Sequence, residues 1–135
     1  MTRNDKASKR ARKRILVIDD SSLVRLYYRH ALEQAGFEVE QAINGIEAME
    51  KVLAQDFDLA IVDVNMPRMD GLTFVRALRR NAREVAALPV IIITTEAGPP
   101  DREDARAVGA NFYLVKPVSE AALVRHAAAL TGISP

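Results

Sequence analysis

The chain has 135 residues, 49% of them apolar, which is enough for one compact domain with an aliphatic core and excludes disorder along its whole length. Cysteine is absent, so disulfides, thiolate metal sites and a cysteine nucleophile are ruled out. Formal net charge is only +1, yet residues 1–14, MTRNDKASKRARKR, carry net +6 and the remainder net −5, so the sequence reads as a basic flexible leader at 1–13 ahead of a mildly acidic domain at 14–135.

Ile15–Ile18 opens the domain as a short aliphatic strand and runs directly into two carboxylates, Asp19 and Asp20. Adjacent like charges raise each other's pKa, so this pair calls for a nearby cation. Leu23 to Ala35 has helical spacing, with Gly36 placed as a left-handed terminator. Glu38–Ala42 is a weaker strand that alternates in part, and Asn44 is a candidate N-cap for a helix reaching about Ala54. A third strand, Leu59–Val62, is followed by Asp63; a third helix starts near Gly71 and uses Leu72, Val75 and Leu78. The strand Val90–Ile93 is followed by Thr94 and Thr95. A short fourth helix, Asp101 to Val108, is preceded by Pro99-Pro100 and stopped by Gly109. Phe112–Val115 is a fifth strand, followed by Lys116, and Ser119 is placed to cap a fifth helix to about Leu130.

The order βαβαβαβαβα implies an α/β, doubly wound domain with five helices and right-handed crossovers. Strand runs that are apolar throughout suggest coverage on both faces, as in a parallel sheet. No segment approaches the ~18 apolar residues of a membrane span, and the leader has no apolar stretch after its charges, so it does not read as a secretory signal. A soluble, cytoplasmic protein without membrane insertion is the expectation.

Each strong strand run ends in chemistry: Asp19-Asp20, Asp63, Thr94-Thr95 and Lys116. In an open parallel sheet those ends share one edge, where ligands bind. Singly, each has a bland reading. Asp20 could cap the first helix, Asp63 could sit in an ordinary polar loop, and a Lys before Pro often just closes a strand. At four strand ends together, the pattern points to a site where three carboxylates hold a divalent cation. Hard oxygen ligands without His or Cys select Mg²⁺ or Ca²⁺, and Mg²⁺ suits a site that also handles phosphate. Lys116 adds a fixed positive charge, and an aspartate is a suitable nucleophile for an acyl phosphate.

VIDDSS (17–22), IVDVNMPRMDG (61–71), PVIIITTEAG (89–98) and GANFYLVKP (109–117) stand in order over residues 14–131, and on these motifs the chain resembles a bacterial two-component response regulator receiver domain of the single-domain chemotaxis type. The resemblance implies a flavodoxin-like, five-stranded parallel sheet in the order 2-1-3-4-5. It implies that Asp63 is the phosphoacceptor. It implies that Asp19, Asp20, Asp63 and the backbone carbonyl of Asn65 hold Mg²⁺. Thr94 would bind a phosphoryl oxygen, Lys116 would pair with the phosphate, Lys116-Pro117 would be a cis peptide, and Tyr113 would be the aromatic whose rotamer follows Thr94. Thr95 and Glu96 would modulate access of water or partners. The donor would be a phosphohistidine on a sensor histidine kinase or phosphotransfer protein. The output would be a shift of the fourth helix, fifth strand and fifth helix (101–108, 112–115, 119–130), which would also carry a downstream protein target. The resemblance describes a protein that catalyses its own aspartyl phosphorylation and slow autodephosphorylation rather than a conventional enzyme.

A phosphatase of the haloacid-dehalogenase type would also use a strand-end Asp with Mg²⁺, but it needs a second Asp two residues on; Asn65 stands there and is no proton donor or acceptor near neutral pH. The alternative function is a phosphorelay shuttle between histidine-containing proteins. A DNA-binding output is disfavoured by the chain's extent, and nucleic-acid contact through the leader would rest on charge alone. The alanine-rich fifth helix leaves room for a weak dimer face. His30 and His126 are not expected to be catalytic. One ring of Tyr27-Tyr28 should turn inward and the other should lie at the surface. Met66 and Met69 read as loop packing.

Overall fold

Successive strand residues point to opposite faces of a sheet, and here helices lie on both faces. The computed structural model describes residues 11–64, 70–95 and 102–133. Five strands, β1 (Arg14–Ile18), β2 (Glu38–Ala42), β3 (Leu59–Asp63), β4 (Val90–Thr94) and β5 (Phe112–Val115), form one parallel sheet in the order β2-β1-β3-β4-β5. The helices among the described residues are α1 (Ser22–Gln34), α2 (Gly45–Ala54), α3 (Gly71–Arg79), α4 (Arg83–Ala86), α5 (Arg102–Val108) and α6 (Glu120–Thr131).

One face of the sheet, with Leu16, Ile18, Val62 and Ile92, packs on Val52 of α2, Phe74 and Leu78 of α3 and Ala105 of α5. The other, with Ile15, Val17, Ile61 and Ile93, packs on Tyr28 and Leu32 of α1 and Leu123 and Ala127 of α6. Double coverage is why β1, β3 and β4 read as unbroken aliphatic runs. Removing a buried aromatic such as Phe74 by Phe→Ala would cost about 3–5 kcal/mol.

Helix ends follow local chemistry. The Asn44 side chain accepts from the Glu47 N–H at 2.9 Å, and the Ser119 hydroxyl accepts from the Ala122 N–H at 3.1 Å. Gly36, at φ 97, closes α1: its N–H donates to the Glu33 carbonyl and the Phe37 N–H donates to Leu32. Of the paired tyrosines, Tyr28 is buried, while Tyr27 is exposed and donates its hydroxyl to the Val118 carbonyl at 3.0 Å.

Three expectations need correction. A sixth helix exists: α4 is a single turn, too short to give a periodic signal. It is held by the burial of Val85 and by the Arg79 guanidinium, which donates to the carbonyls of Ala86 and Leu88. Asp63 and Thr94 are the last residues of β3 and β4 rather than the first beyond them, because the ladders to Ile93 and Val115 extend that far. β5 is at the edge, as the order 2-1-3-4-5 implies, so Phe112 is 39% exposed rather than covered on both faces. Residues 1–10 of the leader, Pro99 and Pro100, and Met66 and Met69 lie outside the described residues. Among the described residues no helix is long and apolar enough to cross a membrane.

Candidate functional site

In-register parallel pairing brings separate strand ends to one level. Ile18 of β1 pairs with Val62 of β3, so Asp19 and Asp63 emerge side by side. Asp63 pairs with Ile93 of β4, one residue before Thr94, and Thr94 pairs with Val115 of β5, one residue before Lys116. The Lys116 N–H donates to the Thr94 carbonyl at 2.7 Å, which ties those two ends together.

Carboxylate oxygens of Asp19, Asp20 and Asp63 lie within 4.8 Å of one another. Asp19 and Asp63 are buried and Asp20 is exposed. Lys116 Nζ stands 3.7 Å from Asp63 Oδ1 and 3.8 Å from Asp19 Oδ2. Asp19 Oδ1 accepts from the Ser21 N–H at 2.9 Å, whereas its buried Oδ2 makes no hydrogen bond. Burial is the main cause that holds the Asp19 carboxyl above the usual range; the Ser21 N–H opposes it, the charge of Asp63 adds to it, Lys116 opposes it and Asp20 adds to it. Burial, together with Asp19 and Asp63, also raises the Tyr28 phenol.

The loop residues around this cluster are fixed by their own caps. Ser21, not Asp20, caps α1, its hydroxyl accepting from Val24 at 3.3 Å, so the Asp20 carboxylate is not spent on the helix. Asp70 caps α3 by accepting from Thr73 at 3.0 Å. Gly71 then lies against the end of β3: a Cβ there would meet the Asp63 carbonyl oxygen at 2.5 Å and Val64 Cα at 2.8 Å. Only glycine permits this approach, and it sets where α3 stops β3.

Thr94 is buried at 2% exposure and Thr95 is exposed. Tyr113 is half-buried on β5, with the Arg102 guanidinium 5.5 Å over its ring. Asn65 and Glu96 lie outside the described residues. His126 is away from the acids, stacked on Phe112 with ring centroids 4.4 Å apart, and His30 is on the exposed side of α1.

The residues present fit a hard divalent cation. Three carboxylates converge, and one of them presents a buried oxygen with no hydrogen bond. With Lys116 beside them, the site suits a ligand that brings its own negative charge.

From the sequence, Arg25, Asp70 and Arg79 had no role, and Gly71 was placed only as the start of a helix. Gly71 carried a signal, since a glycine soon after a strand often marks close backbone approach. An arginine within a helix reads as a solvated face, so Arg25 and Arg79 gave none.

The family model described as "Response regulator receiver domain" matches residues 15–128. Chemotaxis protein CheY1 of Helicobacter pylori is 42% identical over 106 residues, covering 77% of this chain and 85% of that protein. The CAI-1 autoinducer sensor kinase/phosphatase CqsS of Vibrio cholerae is 34% identical over 120 residues, covering 89% of this chain; the chain spans only 18% of that relative's length. Among solved structures, chemotaxis response regulator CheY4 of Vibrio cholerae superimposes with a TM-score of 0.82 at 38% identity, covering 89% of this chain and 99% of that one.

Proposed function

The chain belongs to the response regulator receiver domain family, and from that premise we propose that it accepts a phosphoryl group on Asp63 and signals by a change of shape. The observation that carries this reading is Lys116 Nζ at 3.7 Å from Asp63, with the carboxylates of Asp19 and Asp20 alongside.

An Asp63 oxygen attacks phosphorus while the bond from phosphorus to the donor breaks, and the donor leaves with the bonding electron pair. The donor is the imidazole of a phosphohistidine, or acetate when acetyl phosphate is used. Little covalent chemistry falls to the protein, which positions groups and balances charge. Lys116 neutralises charge on the incoming oxygens, and Thr94, at the end of the neighbouring strand, supplies a hydroxyl to them. Asp19, Asp20 and Asp63, with the Asn65 carbonyl, would hold Mg²⁺, which when bound offsets the phosphoryl charge.

The phosphoryl donor protein has to cover the edge of the site. Support for its docking place comes from α1. Leu23 is 78% and Leu26 60% exposed. Beside them a groove of about 580 Å³ runs between Val24, Tyr27 and the Lys116–Val118 segment, reaching the lysine that touches Asp63. Phosphorylation adds about −1.5 to −2 of charge. Thr94 and Lys116 adjoin β5, so their movement would be felt by Tyr113 and by α5 and α6, the face proposed for the downstream partner.

The test is intact-mass spectrometry after acetyl phosphate and Mg²⁺. Wild type should gain one phosphoryl group and Asp63→Asn none; a gain in both, or in neither, defeats the assignment. The phosphorelay shuttle is favoured by one observation, the match to a receiver-sized part of a protein named as a sensor kinase/phosphatase. Back-transfer from the phosphorylated chain to a histidine phosphotransfer protein would distinguish the shuttle from the output receiver.

A further inference from the structure

We infer that Arg25 is a positioning residue for the metal-binding acids and acts through the peptide group between Asp19 and Asp20. The inference rests on the reading of Asp19, Asp20 and Asp63 as a Mg²⁺ site.

The need for Arg25 arises from the way β2 ends. β1 and β2 pair in parallel as far as Ile18 and Ala42, and the Asp19 N–H still donates to the Ala42 carbonyl at 3.1 Å. The next ladder bond would bring an N–H from residue 44 to the Asp19 carbonyl. Asn44 instead starts α2 as its N-cap. The Asp19 carbonyl is left at the mouth of the site without its strand partner, and such a group needs another donor. Arg25 Nη1 supplies it at 2.6 Å, a short charge-assisted bond.

That guanidinium is itself held. Its Nε donates to Gln41 Oε1 at 3.0 Å, and the Gln41 carbonyl accepts from Lys51 Nζ of α2. The chain of contacts therefore runs from α2 through the end of β2 and the first turns of α1 to one peptide plane. The plane carries Asp19 on one side and Asp20 on the other. Asp19 is fixed further by the Ser21 N–H; the exposed Asp20 takes its starting direction from that plane. These donors of Arg25 meet a carbonyl and an amide rather than the carboxylates, so its contribution is geometric. Outer residues that orient metal ligands typically change metal affinity by about 10–100-fold when lost.

The experiment is Mg²⁺ titration by calorimetry on the full chain, with melting temperatures recorded alongside. Arg25→Met should raise the Mg²⁺ Kd about tenfold. Arg25→Lys, which keeps charge and one donor direction but loses the fork, should recover only part of that loss. Gln41→Leu, which frees the guanidinium without touching the Asp19 peptide, should give a smaller rise in Kd. The Mg²⁺ concentration for half-maximal acetyl phosphate labelling should move with Kd, while the rate at saturating Mg²⁺ stays within about twofold of wild type. A Kd unchanged in Arg25→Met overturns the inference whatever happens to its melting temperature. Should that variant fail to fold, an unchanged Kd in Gln41→Leu overturns it equally. A wild-type chain that binds no Mg²⁺ sinks the metal reading itself, which is a different result.

Discussion

Asp19 shows what a single residue gives up for the site. Its carboxylate is almost wholly buried, faces Asp63, and has one oxygen without a hydrogen bond. Its folded pKa is raised above the usual 3.8, so the folded state binds its proton more tightly than the unfolded chain does. Asp19 therefore supports folding below pH 3.8, and that support is lost as pH rises through the raised value. Asp19→Asn keeps the acceptor for the Ser21 N–H and removes the charge. In metal-free buffer near neutral pH the variant should melt above wild type, with the gap closing toward acid, and it should lose most Mg²⁺ affinity. Thermal melts across pH check the first part; a variant that melts lower at neutral pH contradicts it. The acids and Lys116 were legible in the sequence because each follows an aliphatic run. The removal of Asp20 from capping duty was not, since Ser21 and Asp20 are both good caps and only the backbone chooses between them.

The elements place those residues by meeting end to end. α3 begins against the last residues of β3, and Gly71 is the point of contact. A methyl group there has backbone atoms 2.5 and 2.8 Å away, and backbone cannot swing aside like a side chain. Gly71→Ala should cost about 1–3 kcal/mol, as overpacking does, and should slow acetyl phosphate labelling because the Asp63 carbonyl must shift. Urea melts and labelling rates test this together; wild-type values for both would show that the junction can yield. β2 and β5 matched their sequence ranges, while β1, β3 and β4 each run one residue further than their aliphatic runs, through Arg14, Asp63 and Thr94. Hydrophobic pattern marks where a strand is buried, and the ladder continues into polar residues that the pattern does not count. α4 was invisible for a related reason, because one helical turn has no period, and its support comes from Arg79 of α3.

At the scale of the whole molecule, the two ends of the proposed signal are neighbours, since α1 and α6 cover the same face of the sheet. The proposed input surface is α1 with its exposed leucines beside Lys116, and the proposed output surface is α5, β5 and α6. Leu26→Asp should slow transfer from a histidine phosphotransfer protein that phosphorylates wild type by about tenfold or more, since central apolar anchors carry most interface energy. Labelling by acetyl phosphate, which needs no docking, should be unchanged. Equal effects on both donors, measured by phosphotransfer kinetics, would remove α1 from the interface. The doubly wound topology could be read from the alternation of short aliphatic runs and helical spacing. The exposure of Phe112 could not be read from FYLV itself, because an all-apolar run looks buried; only the strand order that the resemblance implies puts β5 at an edge.

The claim on which the rest depends is that Asp63, Thr94 and Lys116 respond as one unit to a phosphoryl group. An amide NMR shift map before and after Mg²⁺ with beryllofluoride, a stable acyl phosphate analogue, tests it most directly. Shifts are expected at Asp63, Thr94 and Lys116, extending to Tyr113 and residues 102–109, and they should be absent in Asp63→Asn. A map confined to the Asp19–Asp20 loop, or one unchanged in Asp63→Asn, would contradict it.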